Sequence, residues 1–161
     1  MRSLLVIPVL VLLAACSGGS QEASAARVID VLDGDSVMVQ TDAGRVEVRL
    51  FGIDAPEHRQ TYSNTARKGL EELVNKRDVE LIPVEKDRFG RTVAQLVRKS
   101  DQLNVNKEMV RRGHAWVYRQ YNDDKAWLAI ETKAREAKRG LWAGDNPEPP
   151  WKWRRENPRN R

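Results

Sequence analysis

Two short segments of this chain hold carboxylates close to an arginine. The first is an acidic turn at residues 33–35, and the second runs from Arg49 to Glu57 and contains Asp54. Carboxylates are hard oxygen ligands for Ca²⁺ or Mg²⁺, and an arginine beside them suits a phosphate. A further arginine, Arg91, follows in a basic turn. These residue types together indicate metal-assisted chemistry on a phosphodiester.

Each of these pieces also has an ordinary structural explanation. An Asp-Gly-Asp sequence alone is more often just a turn, and it is not an EF-hand loop because Val37 occupies a ligand position of that pattern. Residues 54–57 alone could be the approach to a helix. Arg49 alone would be a solvated strand residue, and Arg91 alone could belong to a surface ion pair. The catalytic interpretation therefore requires the fold to bring the pieces together.

The elements that must do so begin with three strands. Apolar residues recur on both sides of the acidic turn, at Val28, Val31, Val37 and Val39. A third strand alternates Val46, Val48 and Leu50 with charged residues. Arg49, which lies between Val48 and Leu50, should then point to the face opposite the apolar core.

Helices and two more strands follow. Ala66, Leu70 and Leu73 predict an amphipathic helix that Ser63 or Asn64 could cap. The later patterns are two strands and two helices, at residues 79–82, 92–97, 105–112 and 124–139. We expect Asn104 to cap the first of these two helices, Gly113 to stop it, and Gly140 to close the second. Five strands with one helix after the third indicate an α+β fold, a five-stranded Greek-key barrel of the OB type with three helices.

The first fifteen residues are interpreted as an export signal. Residue Arg2 precedes an apolar run at residues 4–13, which is too short to span a bilayer and is typical of a signal peptide. The run ends in small residues before Cys16, a pattern that looks like a bacterial lipobox. Cys16 is the single cysteine of the chain and so has no internal disulfide partner. We expect it to be lipidated; an ordinary secretory signal is the alternative.

The remaining chain divides into a tether, one domain and a tail. Residues 16–26 are the lipidated cysteine and a small, polar linker, and residues 27–145 have the size of one domain. Residues 146–161 are basic and rich in proline and tryptophan, and are expected to be extended and packed only in part. Removing residues 1–15 takes away Arg2, so the net charge falls from +5 to +4. This modest excess is compatible with a polyanionic partner.

The motifs occur together, and in the same order, in the staphylococcal nuclease (thermonuclease) family, which this chain resembles. The matching stretches span about residues 26 to 142 and are residues 33–36, 49–57, 87–91, 105–113 and 140–142. The resemblance implies a barrel of the OB type and a nuclease that acts on DNA, RNA or both with low sequence specificity and leaves 3′-phosphate ends.

The resemblance also assigns roles to particular residues. The implied Ca²⁺ ligands are Asp35, Asp54 and the backbone carbonyl of Ala55. The implied catalytic residues are Arg49 and Arg91, which would bind the scissile phosphate, and Glu57, which would act on the attacking water as a base or as a positioning group. Two carboxylates and a carbonyl would serve Mg²⁺ as well, so the choice of Ca²⁺ rests on the resemblance.

Substrate contacts are implied around the same site. Arg88 and Phe89 lie in the basic turn, where Phe89 replaces a tyrosine of the family's type member and lacks its hydroxyl. Ser36 likewise replaces the usual threonine. Tyr118 and Tyr121 are candidates for stacking on a base or sugar. Tryptophans 151 and 153 of the tail could stack on bases or pack back on the domain.

The leading hypothesis is a monomeric, Ca²⁺-dependent nuclease, exported and anchored in a membrane through Cys16. Ser17, rather than aspartate, after the lipidated cysteine favours the outer membrane if the cell has one. The alternatives are an OB-fold lipoprotein that binds nucleic acid or protein without cleaving, and a structural envelope lipoprotein. Retention of all the acidic and basic site residues favours the enzyme.

Overall fold

A computed structural model describes residues 22–158. Five longer strands build its main sheet: β1 (Ser24–Val31), β2 (Ser36–Thr41), β3 (Gly44–Leu50), β5 (Asp78–Lys86) and β6 (Thr92–Arg98). Three two-residue strands accompany them: β4 (Ile53–Asp54), β7 (Leu103–Asn104) and β8 (Trp116–Val117). The helices of this range are α1 (Ser63–Val74), α2 (Val105–Arg111), α3 (Lys125–Glu136) and α4 (Pro150–Glu156), with a 3-10 turn at Gly140–Ala143. The signal peptide and Cys16 predicted from the sequence lie outside the described residues.

The five longer strands close into a barrel. Neighbours pair antiparallel in the order β3-β2-β1-β5-β6, and β3 pairs with β6 in parallel, which closes the ring. The inward positions of the strands are the apolar ones that alternate in the sequence; Val37, Val48 and Leu50, for example, are fully buried. The α+β class and the five-stranded OB-type barrel predicted from the sequence are therefore confirmed.

The helix ends agree with the sequence only in part. The Asn104 side chain accepts a hydrogen bond from the Lys107 backbone N–H at 3.0 Å, which confirms it as the cap of α2. The prediction that Ser63 or Asn64 caps α1 is wrong, because Tyr62 occupies the cap position in a left-handed conformation (φ 75°) and makes no side-chain cap bond.

The tail also differs from its prediction. Instead of an extended segment, residues 150–156 form α4, a fourth helix where the sequence analysis expected three. Pro150 stands in its first turn, where the missing N–H costs no hydrogen bond. The Trp151 ring stacks on Tyr118 at a centroid distance of 5.8 Å and meets Trp116 edge-on at 6.5 Å. This aromatic packing fixes α4 against β8 and the residue that follows it. None of the helices among residues 22–158 has the length and apolar character needed to cross a membrane.

Candidate active site

The register of β2 and β3 places the first carboxylate next to the first arginine. Asp35 directly precedes β2, and its neighbour Ser36 pairs with Arg49 across the β2–β3 ladder. The Leu50 backbone N–H also donates to the Asp35 carbonyl at 2.8 Å. The acidic turn and the end of β3 therefore meet at one end of the barrel.

The loop after β4 packs directly on the acidic turn. The Ala55 backbone N–H donates to Asp35 Oδ2 at 2.6 Å. Gly34 makes this close approach possible, since a Cβ atom at that position would lie 2.7 Å from the Ala55 Cβ and 2.9 Å from the Ala66 Cβ. The structure thus brings together Asp35, Asp54 and Ala55, the three residues assigned to the metal site.

Arg49 joins the two aspartates. Its Nη1 lies 3.0 Å from Asp35 Oδ1, and its Nη2 lies 3.0 Å from Asp54 Oδ1. The side chain is only 15% exposed, so it is not the solvated strand residue of the alternative interpretation. As predicted, it stands off the apolar core face, while Val48 and Leu50 fill the barrel interior.

Burial of the aspartates changes their acidity. Desolvation raises the pKa of Asp35 well above its ordinary value, and the nearby Asp33 and Asp54 carboxylates add to this, against the opposing effect of Arg49. Desolvation likewise raises the pKa of Asp54, although hydrogen bonds and charge from Arg154 and Arg49 oppose it. The neighbouring arginines therefore compensate the negative charges of Asp35 and Asp54 only in part.

These residues fit a divalent cation by their donor chemistry. Two buried carboxylates and an adjacent carbonyl are hard oxygen donors, and a cation at these oxygens would compensate the charges that burial disfavours. Within residues 22–158, no three His, Cys, Asp or Glu side chains form a ready-made metal cluster. The Ca²⁺ ligands implied by the family resemblance include only two such side chains, and the remaining ligands would be a backbone carbonyl and water.

Glu57 lies on the same loop and is held by Gln60. The Glu57 backbone N–H donates to Gln60 Oε1 at 2.9 Å, and the Gln60 backbone N–H donates to the Glu57 carbonyl at 2.8 Å. The Gln60 side-chain amide then donates to the Glu148 carbonyl at 2.6 Å. Buried Gln60 thus ties the Glu57 loop to the segment that precedes α4.

Arg154 is a site residue that the sequence analysis missed. From α4 its Nη1 donates to Asp54 Oδ1 at 3.0 Å and to Glu57 Oε1 at 2.8 Å, and its Nη2 donates to Asp54 Oδ2 at 2.9 Å. Tyr118 lies beside it, with the hydroxyl oxygen 3.4 Å from Nη2. Although burial would lower the pKa of the Arg154 guanidinium, the two carboxylates raise it above its ordinary value. The site therefore holds three carboxylates and two guanidiniums linked in one chain of ion pairs.

Arg91 lies in the basic turn between β5 and β6. It directly precedes β6, whose first residues run parallel to β3 with Val48 opposite Thr92, so Arg91 lies beside Glu47 of β3. Its Nε is 2.7 Å from Asp87 Oδ2, and its Nη1 is 3.6 Å from Glu47 Oε1. Although burial opposes it, these carboxylates and the charge of Asp35 raise the pKa of Arg91. Arg91 is therefore a permanently charged donor at the rim of the site.

The implied substrate contacts occupy two surfaces. In the turn 87–91, the Phe89 ring is 68% exposed, with the Arg88 guanidinium carbon 4.7 Å from its centroid. On the other surface, the rings of Tyr118 and Tyr121 meet edge-on at 5.0 Å. Tyr118 borders the carboxylates through Arg154, whereas Tyr121 is exposed. The structure thus places Tyr118 in the site, whereas Arg88, Phe89 and Tyr121 lie on exposed surface.

Comparison with known proteins identifies the family. A family model described as "Staphylococcal nuclease homologue" matches residues 47–144. The chain belongs to the staphylococcal nuclease family. It is 44% identical over 128 residues to an "Uncharacterized endonuclease" of Escherichia coli O157:H7, a match that covers 80% of this chain and 83% of the relative.

Two further relatives are similar to this staphylococcal nuclease family member over most of their length. A Haemophilus influenzae protein, also named "Uncharacterized endonuclease", is 36% identical over 156 residues, with 96% of this chain and 86% of the relative covered. A "Micrococcal nuclease" of Shigella flexneri is 36% identical over 137 residues, with 80% of this chain and 79% of the relative covered. The family resemblance expected from the sequence is therefore confirmed.

Proposed function

We propose that this member of the staphylococcal nuclease family uses Ca²⁺ to hydrolyse phosphodiester bonds of DNA, RNA or both, with low sequence specificity and 3′-phosphate products. The family and the endonuclease names of its relatives make the chain a hydrolase of the nuclease type. The observation that carries the proposal is the convergence of Asp35, Asp54, Glu57 and Arg49 at one end of the barrel. A scaffold or simple binding domain has no need for three converging carboxylates, because they repel a nucleic acid.

Asp35, Asp54 and the Ala55 carbonyl would hold the cation. A divalent cation bound there supplies Lewis-acid stabilisation to a phosphoryl oxygen. Arg49 is held beside both aspartates, so its guanidinium lies next to the place where a phosphate bound to the cation would be. Its planar, permanently charged fork matches the geometry of phosphoryl oxygens.

Glu57 and Arg91 would supply the remaining groups that the reaction needs. The Glu57 carboxylate can accept a proton or a hydrogen bond from the attacking water, and Gln60 fixes the backbone that carries it. Arg91 would add a second guanidinium to stabilise the negative charge that develops on the phosphoryl group. Asp87 orients it, accepting from both the backbone N–H and Nε of Arg91.

Low sequence specificity is consistent with the surfaces around the site. Phe89 and Tyr121 are exposed rings, and stacking on a ring tolerates any base. Arg88 and Arg91 would contact phosphate groups, and phosphate contacts carry no direct sequence information. These contacts position a strand without reading base edges.

The activity is tested with the purified full-length protein. Single-stranded DNA, duplex DNA and RNA are incubated with Ca²⁺ and then with Ca²⁺ plus excess chelator, and the product ends are mapped. We expect cleavage of at least one substrate that stops on chelation, with 3′-phosphate ends. Binding without Ca²⁺-dependent cleavage of any substrate would instead establish the non-catalytic binding function.

We also propose that the protein is exported and anchored in a membrane by lipid on Cys16. The apolar run at residues 4–13, the small residues before Cys16 and the polar linker after it support this. Ser17 favours the outer membrane if the cell has one. Replacing Cys16 by serine should move the protein from the membrane fraction to the soluble fraction of cell extracts. Unchanged fractionation of the variant would contradict lipidation.

A further inference from the structure

The Arg154 guanidinium lies against the Asp54 carboxylate, where a divalent cation would also bind. Its two terminal nitrogens lie 3.0 and 2.9 Å from the two oxygens of Asp54, and one of them also lies 2.8 Å from Glu57. The Asp54 side chain is only 1% exposed. Within the described part of the chain, this carboxylate is thus enclosed by Arg49 on one side and Arg154 on the other.

A divalent cation and Arg154 would compete for the same oxygens. Ca²⁺ sits about 2.3–2.6 Å from its oxygen ligands, so a cation on Asp54 would lie within a few ångström of the guanidinium. Like charges at that separation repel strongly where water is largely excluded. A cation bound to Asp54 would therefore destabilise the contact between Arg154 and this carboxylate.

The two arginines differ in their ability to move. Arg49 projects from β3, is 15% exposed, and is held by both aspartates and by the Leu50 carbonyl at 3.2 Å. Arg154 is 37% exposed and lies on α4. That helix is held by the Gln60–Glu148 bond and by the Trp151 ring, and neither contact involves the Arg154 side chain. The Arg154 side chain can thus swing towards solvent while Trp151 and the Gln60–Glu148 bond keep α4 docked.

We propose that Arg154 is a positioning residue: it holds Asp54 and Glu57 in the cation-free protein and yields Asp54 to the divalent cation when that cation binds. This rests on the proposed function, since it takes Asp54 as a cation ligand. In the cation-free protein, Arg154 compensates the charge of a buried carboxylate and keeps Glu57 facing the site. The C-terminal helix thereby sets the affinity of the site for its cation.

The test is Ca²⁺ binding without nucleic acid, measured by calorimetry on the full-length protein. Arg154→Gln removes the competing charge and should tighten Ca²⁺ binding by about tenfold. Arg155→Gln is the matched control, because it removes the same charge from the exposed neighbouring position of α4; its affinity should stay within about twofold of the unmodified protein. Equal or weaker binding in Arg154→Gln, or equal tightening in both variants, would overturn the proposal.

A second measurement needs no altered protein. In nuclear magnetic resonance spectra of the unmodified chain, saturating Ca²⁺ should shift the Arg154 side-chain Nε–H signal and speed its exchange with water, while the α4 backbone amides stay protected. An unchanged Arg154 signal in the Ca²⁺-bound protein would overturn the inference alone. Absence of any Ca²⁺ binding to the unmodified protein would overturn the cation site of the proposed function as well, so the two failures are distinguishable.

Discussion

Replacing Glu57 by glutamine is expected to lower the turnover number for nucleic-acid cleavage by about 10²-fold or more. Glutamine preserves the size of the side chain and can still accept a hydrogen bond from Arg154, which now lies 2.8 Å from Glu57 Oε1. It cannot take a proton from water at neutral pH. The backbone bonds to Gln60 do not involve the replaced group, so the loop should keep its conformation.

The measurement is the steady-state turnover number at saturating Ca²⁺ and saturating DNA, together with the Ca²⁺ affinity of the same preparation. Glu85→Gln, an exposed carboxylate on β5, is the matched control and should cleave at the normal rate. Near-normal turnover of the Glu57 variant would show that this carboxylate does not act on the attacking water. A loss of Ca²⁺ affinity as large as the loss of turnover would reassign Glu57 as a cation ligand.

Local patterns were sufficient to predict the barrel and the orientation of Arg49, whereas the roles of the candidate site residues came from the family resemblance. Strand alternation placed Val48 and Leu50 inside and Arg49 outside, and the burial of these residues confirms it. Adjacent strands and tight turns then bring Asp35 next to Arg49, because Ser36 and Arg49 are partners in one hairpin. Contacts of this kind follow from short-range register, which the sequence encodes directly.

The contacts that Gln60 and Arg154 make at the candidate site could not be predicted from local patterns. Gln60 reaches a carbonyl 88 residues away, and Arg154 reaches Asp54 across 100 residues. Neither contact leaves a periodic signal. The α4 helix is short, begins without a side-chain cap bond, and is held by packing of Trp151 on Tyr118 and Trp116. Pro150 before a Trp-Lys-Trp-Arg run was the available signal for a helix start.

The sequence also mispredicted the start of α1 for a physical reason. Ser63 and Asn64 are good capping residues by type, but the chain enters the helix through Tyr62 in a left-handed conformation. The Tyr62 hydroxyl lies 2.9 Å from His114 Nδ1 and its ring packs with that imidazole. Tertiary contacts of this tyrosine therefore override the local capping preference.

Arg91→Ala is expected to lower turnover by about 10²-fold or more with a smaller change in Ca²⁺ affinity. Unlike Arg49, Arg91 has no ion pair with Asp35 or Asp54 in the described structure; its partners are Asp87 and Glu47. It is thus placed to act on the substrate phosphate rather than to hold the cation ligands. Arg91→Lys should recover only part of the rate, because an ammonium cannot bind two phosphoryl oxygens in a planar fork.

The control for Arg91 is Arg45→Ala, which removes an exposed arginine near the start of β3 and should leave turnover unchanged. Thermal unfolding of each variant separates a catalytic loss from a loosened turn, since Arg91 also donates through its side chain to Asp87 at 2.7 Å. If Arg91→Ala cleaved at the normal rate, or if Arg91→Lys restored it fully, bidentate phosphate binding by Arg91 would be excluded. The reaction would then depend on Arg49 as its phosphate-binding guanidinium, and the basic turn would serve only to attract the nucleic acid.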